Sequence, residues 1–200
     1  MKKRIILLLF VLLLFTGCGD NGPKEMPKEN PIVKMTFEGY GDITLELYPK
    51  EAYNTVANFV NLIQDGFYEK GNIIRVQKGF VLQVAGVKNL NYTIKGEFAA
   101  NGVENNIKHT KGVLSMARAE GYDTAAGQFF IMLGDAAYLD GNYAAFGKVI
   151  EGLDVIDKIN AANLKVTDNQ FNFLAKESYI TIRGTSVDTK GYNYKVEKIR

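Results

Sequence analysis

The chain has 200 residues, a net charge of +2 at pH 7, one cysteine and one histidine. Its hydrophobic fraction of 46% and charged fraction of 23% are ordinary for a globular protein. The balanced charge gives no reason to expect a nucleic-acid partner. A single cysteine excludes an intramolecular disulfide, and a single histidine leaves little material for a histidine-rich metal site or a Ser-His-Asp triad.

The N-terminal residues have the features of an export signal. Residues 1–4 are basic, and residues 5–15 form an uninterrupted apolar run, too short for a membrane-spanning helix of about 20 residues. The run ends at Phe15-Thr16-Gly17-Cys18. This ending resembles the bacterial lipobox, in which the cysteine is lipidated, for example with palmitate, and becomes the mature N-terminus. Ordinary signal cleavage and an uncleaved N-terminal anchor are the alternatives.

The chain is therefore predicted to have four segments. They are a lipoprotein signal peptide at residues 1–17, Cys18 with a flexible polar linker to residue 31, a folded domain at residues 32–187 and a tail at residues 188–200. The lipid would hold the domain outside the cytoplasm, on the bacterial cell membrane. A monomer is expected. The tail is polar with a few apolar positions, so the sequence leaves open whether it packs.

The domain is predicted to contain many short strands and two helices. Residues 32–37 and 43–48 read as a hairpin with one buried face. Apolar residues at helical spacing predict a helix in Tyr53–Gln64, with Asn54 as its cap and Gly66 as its stop. Many short strands with two helices between them favour a closed or nearly closed antiparallel barrel. Further strands are predicted at residues 73–76, 80–84, 112–118, 128–133, 145–150 and 179–183, and a second helix at residues 153–159.

The sequence offers an arginine, amides and aromatic residues rather than a catalytic acid–base pair or a nucleophile. Neither a Walker-type loop nor a Gly-x-Ser-x-Gly motif occurs, and the carboxylates are scattered, which argues against phosphoryl transfer and hydrolysis. The set that remains suggests a site that grips a peptide and lowers a rotational barrier without covalent chemistry. Its members are Arg75, Gln83, Gln128, Phe80, Phe129 and Phe130.

Strand alternation gives a first placement of these side chains. It puts Arg75 on the face opposite to Ile74 and Val76, and it puts Phe80 on the same face as Leu82 unless a bulge intervenes. Simpler interpretations stay open at this point. The arginine is also compatible with a surface position that covers apolar area, the phenylalanines with plain core packing, and the two glutamines with solvent exposure.

Several segments, in this order, resemble the cyclophilin family of peptidyl-prolyl cis–trans isomerases. The resemblance runs from about residue 32 to about residue 187. It implies a mainly β fold, an eight-stranded antiparallel barrel capped by two α-helices, with the site in a groove on the outer face of the barrel. It also implies an isomerase that needs neither a metal nor a cofactor. The matching segments are residues 55–59, Arg75 with Gly79, Phe80 and Gln83, and residues 94–102, 108–118, 128–131 and 139–149.

The resemblance also implies roles for individual residues. The catalytic positions are Arg75 as the catalytic arginine, Phe80 in the proline pocket and Gln83, which hydrogen-bonds the substrate backbone. His109 has a structural role in the family and is left out of the site. In the substrate-binding set, Phe130 and Leu139 line the proline pocket, Ala117 and Arg118 pair with the peptide main chain, and Gln128 supports the arginine; the remaining members are Val81, Tyr138 and Tyr143.

The chain departs from the family pattern in four places, one of them a pair of residues. Val81 replaces a frequent methionine, which shortens the pocket wall. Tyr138 replaces a tryptophan whose loss, in the family, tends to weaken cyclosporin binding more than catalysis. Tyr143 replaces a histidine and keeps an aromatic wall with a polar tip. Val84 and Ala85 replace two glycines, so a different local backbone is expected there.

The resulting hypothesis is an exported, lipid-anchored peptidyl-prolyl isomerase. Its expected partners are proline-containing segments of exported proteins, whose folding it would assist. The alternative is a non-catalytic, peptide-binding chaperone module with the same fold. A third class, an adhesin or structural surface protein, is supported only by the lipid anchor.

Overall fold

Antiparallel strands close into one barrel in the computed structural model, which describes residues 26–167 and 170–199. The predicted signal peptide and Cys18 lie outside these residues. The strands are β1 (Ile32–Phe37), β2 (Gly41–Leu47), β3 (Asn72–Gln77), β4 (Val81–Ala85), β5 (Val113–Met116), β6 (Phe129–Met132), β7 (Ala145–Glu151) and β8 (Ile180–Asp188). Around the barrel their order is β1-β2-β7-β5-β6-β4-β3-β8. The predicted eight-stranded antiparallel barrel with two helices is confirmed.

The barrel interior is filled because alternate residues of each strand point inwards. In β1, for example, Val33, Met35 and Phe37 are buried. Helix α1 (Tyr53–Gln64) contributes to the same core, since the Phe59 ring lies 5.0 Å from that of Phe129. Helix α2 (Leu153–Ala161) buries Val155, Ile156 and Ile159 in the same core. Among the described residues, side chains therefore fill the barrel interior, and the outer surface is where a binding groove is sought.

The start of α1 differs from its prediction. Asn54 does not cap the helix; it lies in the first turn, after Ala52. The Glu97 carboxylate accepts the backbone N–H groups of Asn54 and Thr55 at 2.9 and 2.6 Å, and the Thr55 hydroxyl at 2.6 Å. The free N–H groups of the helix are therefore satisfied by a distant acidic residue. Local spacing cannot reveal such a cap.

The end of β4 is regular despite its two departures from the glycine pattern. Val84 is fully buried in the interior and pairs with Ile73, while Ala85 pairs with Asn72. Neither residue has a positive φ. The valine and alanine are therefore accommodated by extending the strand, and no unusual turn occurs at this point.

The C-terminal tail packs against α1. Tyr194 is buried, and the Tyr53 and Tyr192 hydroxyls lie 3.2 Å apart. The Asn54 side chain exchanges two hydrogen bonds with the backbone of Glu197, at 2.8 and 2.6 Å. Of the two possibilities that the sequence left open, packing is the one observed. Across the described residues, no helix has the length and apolar character needed to cross a bilayer.

Candidate active site

A second apolar cluster lies on the outer face of the barrel, separate from the interior core. Strand alternation creates it: Leu82, Phe129 and Ile131 belong to the interior, whereas their neighbours Val81 and Phe130 belong to the outer cluster. Phe80, Ile107, Ala117 and Tyr143 pack around its edge. The buried members of this outer-face cluster are Val81, Val113, Phe130, Met132, Ala136, Leu139 and Ala145.

The strand register aligns the central residues of the site in one row. Arg75 of β3 lies opposite Gln83 of β4, Gln83 lies opposite Phe130 of β6, and Phe130 lies opposite Ser115 of β5. Residues directly opposite in an antiparallel pair have their Cβ atoms about 5 Å apart on the same face. The register therefore brings arginine, amide and aromatic side chains together on the outer face.

These side chains surround a groove of about 490 Å³. Every lining residue except Phe171 and Phe173 was named from the sequence as a site residue. The remaining predicted residue, Gln128, lines an adjoining cavity of about 310 Å³ that shares Gln83 and Arg118 with the groove. The groove is lined by Arg75, Phe80, Val81, Gln83, Ala117, Arg118, Phe130, Tyr138, Leu139, Tyr143, Phe171 and Phe173.

The position of Phe80 corrects one expectation. Strand β4 begins at Val81, and Phe80 lies in the preceding turn, where Gly79 has a φ of 72°. Phe80 therefore does not share a face with Leu82: Leu82 is in the interior, and Phe80 packs on the outer-face cluster. The turn is fixed because the Gly79 N–H donates to the Asn160 side chain at 3.0 Å.

Arg75 is held within the groove by hydrogen bonds and rings. Its Nε donates to the Phe171 carbonyl at 2.6 Å, and its Nη2 donates to Gln77 Oε1 at 2.5 Å. The guanidinium carbon lies 6.0 Å from the ring centroids of both Phe80 and Phe173, at the outer limit of a cation–π contact. These contacts fix the guanidinium in the wall of the groove.

The two glutamines interact with each other. Gln83 Nε2 donates to Gln128 Oε1 at 2.8 Å. Gln128 was expected to support the arginine; its observed partner is Gln83, and the Gln77 amide contacts the guanidinium. Sequence reasoning missed Gln77, although its spacing of two residues from Arg75 puts both side chains on one face of β3.

Aromatic rings form the hollow beside the arginine. Phe130 is 7% exposed, and its ring meets the Tyr143 ring edge-to-face at 5.9 Å. Phe80 and Tyr138 stack at 6.0 Å, and Tyr138 is 69% exposed. Leu139 completes the hollow with its buried side chain. Such a hollow suits a small apolar ring.

His109 lies beneath this hollow and connects two parts of its wall. Its ring stacks on Phe130 at 6.2 Å, its Nδ1 is 3.0 Å from Asp140 Oδ1, and its Nε2 is 3.0 Å from Ser115 Oγ. A carboxylate only accepts, so the neutral ring donates from Nδ1 and accepts the Ser115 hydroxyl at Nε2. Burial lowers the pKa of His109, against the opposing effect of Asp140.

Ser115, His109 and Asp140 form a Ser-His-Asp arrangement, for which a chain with a single histidine offered little material. Ser115 is completely buried and His109 is 1% exposed, so a substrate cannot reach the hydroxyl. The arrangement therefore supports Phe130 and does not act as a nucleophile. Within residues 26–167 and 170–199, no three His, Cys, Asp or Glu side chains are grouped so that they could hold a metal ion.

The far end of the groove, after β5, is formed by Ala117 and Arg118. The Ala117 N–H donates to the Gln128 carbonyl at 3.0 Å. The Arg118 guanidinium donates to the Asn142 carbonyl at 3.1 and 3.3 Å and lies 4.6 Å from the Tyr143 ring centroid. The side chain of Arg118 is thus held against the protein, which leaves its backbone as the part most suited to pair with a peptide.

Comparison with known proteins agrees with this geometry. The family model for cyclophilin-type peptidyl-prolyl cis-trans isomerase/CLD matches residues 32–183. A peptidyl-prolyl cis-trans isomerase of Helicobacter pylori is 42% identical over 148 residues, which cover 68% of this chain and 88% of the relative. Peptidyl-prolyl cis-trans isomerase A of Dickeya dadantii is 33% identical over 166 residues, which cover 80% of this chain and 85% of the relative.

Solved structures agree on the fold. A cyclophilin-type peptidyl-prolyl cis-trans isomerase of Cryptosporidium parvum has a TM-score of 0.65 at 24% identity, over 80% of this chain and 98% of its own. A structure of the same protein in the presence of the dipeptide Ala-Pro has a TM-score of 0.64. The sequence matches and the closed barrel together show that the chain belongs to the cyclophilin family of peptidyl-prolyl cis–trans isomerases, enzymes that catalyse rotation about Xaa–Pro peptide bonds.

Proposed function

We propose that Arg75 is the catalytic group of this isomerase and that the enzyme assists the folding of exported proteins from a lipid anchor at Cys18. The observation that supports the catalytic role is the position of Arg75 in the wall of the groove, beside the apolar hollow. Its strand partner Gln83 separates it from Phe130, which forms part of the apolar hollow. A fixed cation, an amide and a ring-sized hollow are the parts that amide rotation requires.

The chemistry follows from amide resonance. The barrier to rotation is about 18–20 kcal/mol because the nitrogen shares its lone pair with the carbonyl, and uncatalysed prolyl isomerisation takes tens of seconds or longer. A twisted amide has a pyramidal nitrogen whose lone pair is free to accept a hydrogen bond. The Arg75 guanidinium can donate that bond only in the twisted state, so it stabilises the transition state more than either planar isomer.

The other residues of the groove bind the parts of the substrate that lie on either side of the rotating bond. The proline ring rests in the hollow between Phe80, Phe130 and Leu139, where it is kept from turning. Gln83 hydrogen-bonds the substrate backbone, and the main chain before the proline pairs with residues 117–118. The carbonyl that precedes the proline then rotates while the ring stays in place, and no bond is made or broken.

The catalytic proposal is tested with an Arg75→Ala variant. We expect kcat/KM on a short Xaa-Pro peptide to fall at least about tenfold, equivalent to about 1.4 kcal/mol of lost transition-state stabilisation. The measurement is a protease-coupled isomerisation assay. Arg183→Ala is the matched control, because Arg183 lies on β8 in an exposed ion pair with Glu38. Equal rates for Arg75→Ala and the parent would refute the role of Arg75.

The proposed anchor rests on the sequence of residues 1–18, a basic start and an apolar run followed by a lipobox-like cysteine. One acyl chain gives only marginal membrane binding, whereas several chains anchor a protein stably. We expect Cys18→Ala to move the protein from the membrane fraction to a soluble fraction and to abolish labelling with radioactive palmitate. Asn21→Ala, in the adjacent linker, is the control. Unchanged fractionation and labelling of Cys18→Ala would contradict lipidation.

The proposed location defines the substrates. A catalytic domain tethered outside the cytoplasm meets proteins as they emerge from export, when their Xaa–Pro bonds still include the wrong isomer. Their proline-containing segments are extended before folding, as a shallow surface groove requires. The enzyme would accelerate the slow isomerisation step of these chains.

A further inference from the structure

Part of the segment between α2 and β8 runs alongside β3, next to Arg75. Its residues 172–174 pair with β3: the Leu174 N–H donates to the Ile74 carbonyl at 2.8 Å, and Arg75 bridges to Phe173. The same residues pair with an earlier part of the segment, where Val166 lies opposite Leu174. The segment is therefore attached to the barrel on the β3 side of the groove.

The side chains of this segment divide into a buried side and an exposed side. Leu174 is 2% exposed and belongs to the interior core. Phe171 and Phe173, however, are 51% and 38% exposed, and both line the groove. Two phenylalanines with so much exposed surface, in the wall of a binding groove, indicate a contact for an apolar ligand. We call Phe171 and Phe173 the aromatic wall.

The aromatic wall and the peptide-pairing residues lie at opposite ends of the groove. The order of strands across the groove is β3, β4, β6, β5; the wall adjoins β3, and residues 117–118 follow β5. The hollow for the proline ring lies between them, on β4 and β6. A peptide that pairs at one end and places its proline in the hollow therefore has its next residues directed towards the wall.

We propose that Phe171 and Phe173 form a second subsite, which binds an apolar or aromatic side chain flanking the proline and so determines which Xaa–Pro segments the enzyme prefers. This proposal rests on the proposed function, because the proline in the hollow sets the position of its neighbours. A flanking phenylalanine or leucine would cover the exposed rings, whereas glycine would leave them in contact with water.

The wall also contacts the catalytic group, but its two residues do so differently. Phe171 holds Arg75 through its backbone carbonyl, which accepts from Nε at 2.6 Å. Phe173 has its ring centroid 6.0 Å from the guanidinium carbon. Replacing Phe171 by alanine keeps the carbonyl and removes only the ring. Phe171→Ala therefore isolates the subsite from the positioning of Arg75.

The test compares peptides that carry either phenylalanine or glycine next to the proline, on each side in turn. For the parent enzyme we expect a higher kcat/KM with phenylalanine than with glycine at the position after the proline, which is the one directed towards the wall. Phe171→Ala should reduce that ratio by about three- to tenfold, as expected for a lost aromatic contact. Phe173→Ala should reduce it similarly. Val166→Ala, in the same segment but outside the groove, should preserve the ratio.

Three outcomes would overturn the subsite: a parent enzyme without any preference, a Phe171→Ala variant with an unchanged ratio, or a variant that loses the same factor on every peptide. Thermal unfolding of each variant checks that it is folded. Arg75→Ala, measured on the glycine peptides, tests the proposed function separately. If the subsite proposal fails, the result for Arg75→Ala on the glycine peptides is unaffected.

Discussion

The barrel interior and the outer-face cluster are built from the same strands, but their side chains are shielded from solvent to different extents. Phe129 of β6 is fully buried among the rings of Phe59, Tyr68 and Phe146. Phe130, the next residue, points outwards and forms part of the wall of an open groove. Both positions are aromatic, and only the direction of the side chain separates a packing residue from a binding residue.

This difference shows how the fold divides stability from function. The interior is closed by the strands and α1, so its apolar surface contributes to folding. The outer-face cluster is supported on one side by the His109 ring, which stacks on Phe130, but stays open towards the groove, so part of its apolar surface is available to a substrate. The alternation of a β-strand is sufficient to place both kinds of surface in consecutive residues.

The largest expected effects come from truncating these two neighbours. Phe129→Ala should lower the free energy of unfolding by about 3–5 kcal/mol, because it leaves a closed cavity in the interior. Phe130→Ala should lower it by only about 2 kcal/mol, because its cavity opens into the groove. The loss of activity should be larger for Phe130→Ala. Its kcat/KM should be at least about tenfold below that of folded Phe129→Ala.

Urea unfolding and the protease-coupled assay measure the two quantities on the same samples. Equal losses of stability in the two variants, with equal activities, would show that the outer-face cluster is a second structural core. That result would remove the distinction between the two clusters.

A smaller effect concerns the support of Phe130 by His109. Because His109 is the only histidine, one imidazole signal in an NMR titration reports its pKa. We expect a midpoint below 6.5, since burial lowers the pKa of His109. Asp140 raises that pKa by its hydrogen bond and charge, so Asp140→Asn should move the midpoint further down. A midpoint at or above 6.5 in the parent would contradict a buried neutral ring.

The same pKa fixes the direction of the pH dependence of stability. The unfolded chain binds a proton at His109 more readily than the folded protein does, so the free energy of unfolding should fall as the pH drops below about 6.5. Burial raises the pKa of Asp140, but the hydrogen bonds from His109 together with the charges of Lys108 and His109 outweigh this, and the net shift is downwards. Asp140 therefore titrates in a lower pH range, and His109→Gln should reduce the loss of stability between pH 7 and 5.5.

Most of the fold was predictable because strand alternation and helical spacing are local patterns. The helix in Tyr53–Gln64 has the predicted bounds, and all the predicted strands occur with ends that differ by a few residues. The errors arose where a distant residue decides the local structure. Glu97 rather than Asn54 satisfies the start of α1, and a hydrogen bond to the distant Asn160 holds the Gly79 turn that removes Phe80 from β4.

The residues of the candidate site were predictable where they belong to a family motif. Residues named by resemblance lie together in the groove because the register aligns Arg75, Gln83 and Phe130, which are distant in sequence. The aromatic wall was missed because residues 170–174 match none of the motifs used. The only available signal was the alternation of Phe171 and Phe173 in an otherwise polar stretch. Its pairing with β3 is a tertiary contact that the sequence pattern does not specify.

The most direct test of the account separates binding from rotation. NMR exchange spectroscopy on a saturating Xaa-Pro peptide gives the rotation rate on the enzyme, and a titration of the same sample gives Kd. For Arg75→Ala we predict a rotation rate at least about tenfold lower with Kd changed by less than about threefold. The rotation rate of Arg75→Lys should lie between those of the parent and of Arg75→Ala, since lysine keeps the charge without the planar fork. A Kd that rises tenfold at an unchanged rotation rate would show that Arg75 only binds substrate, and it would contradict the account.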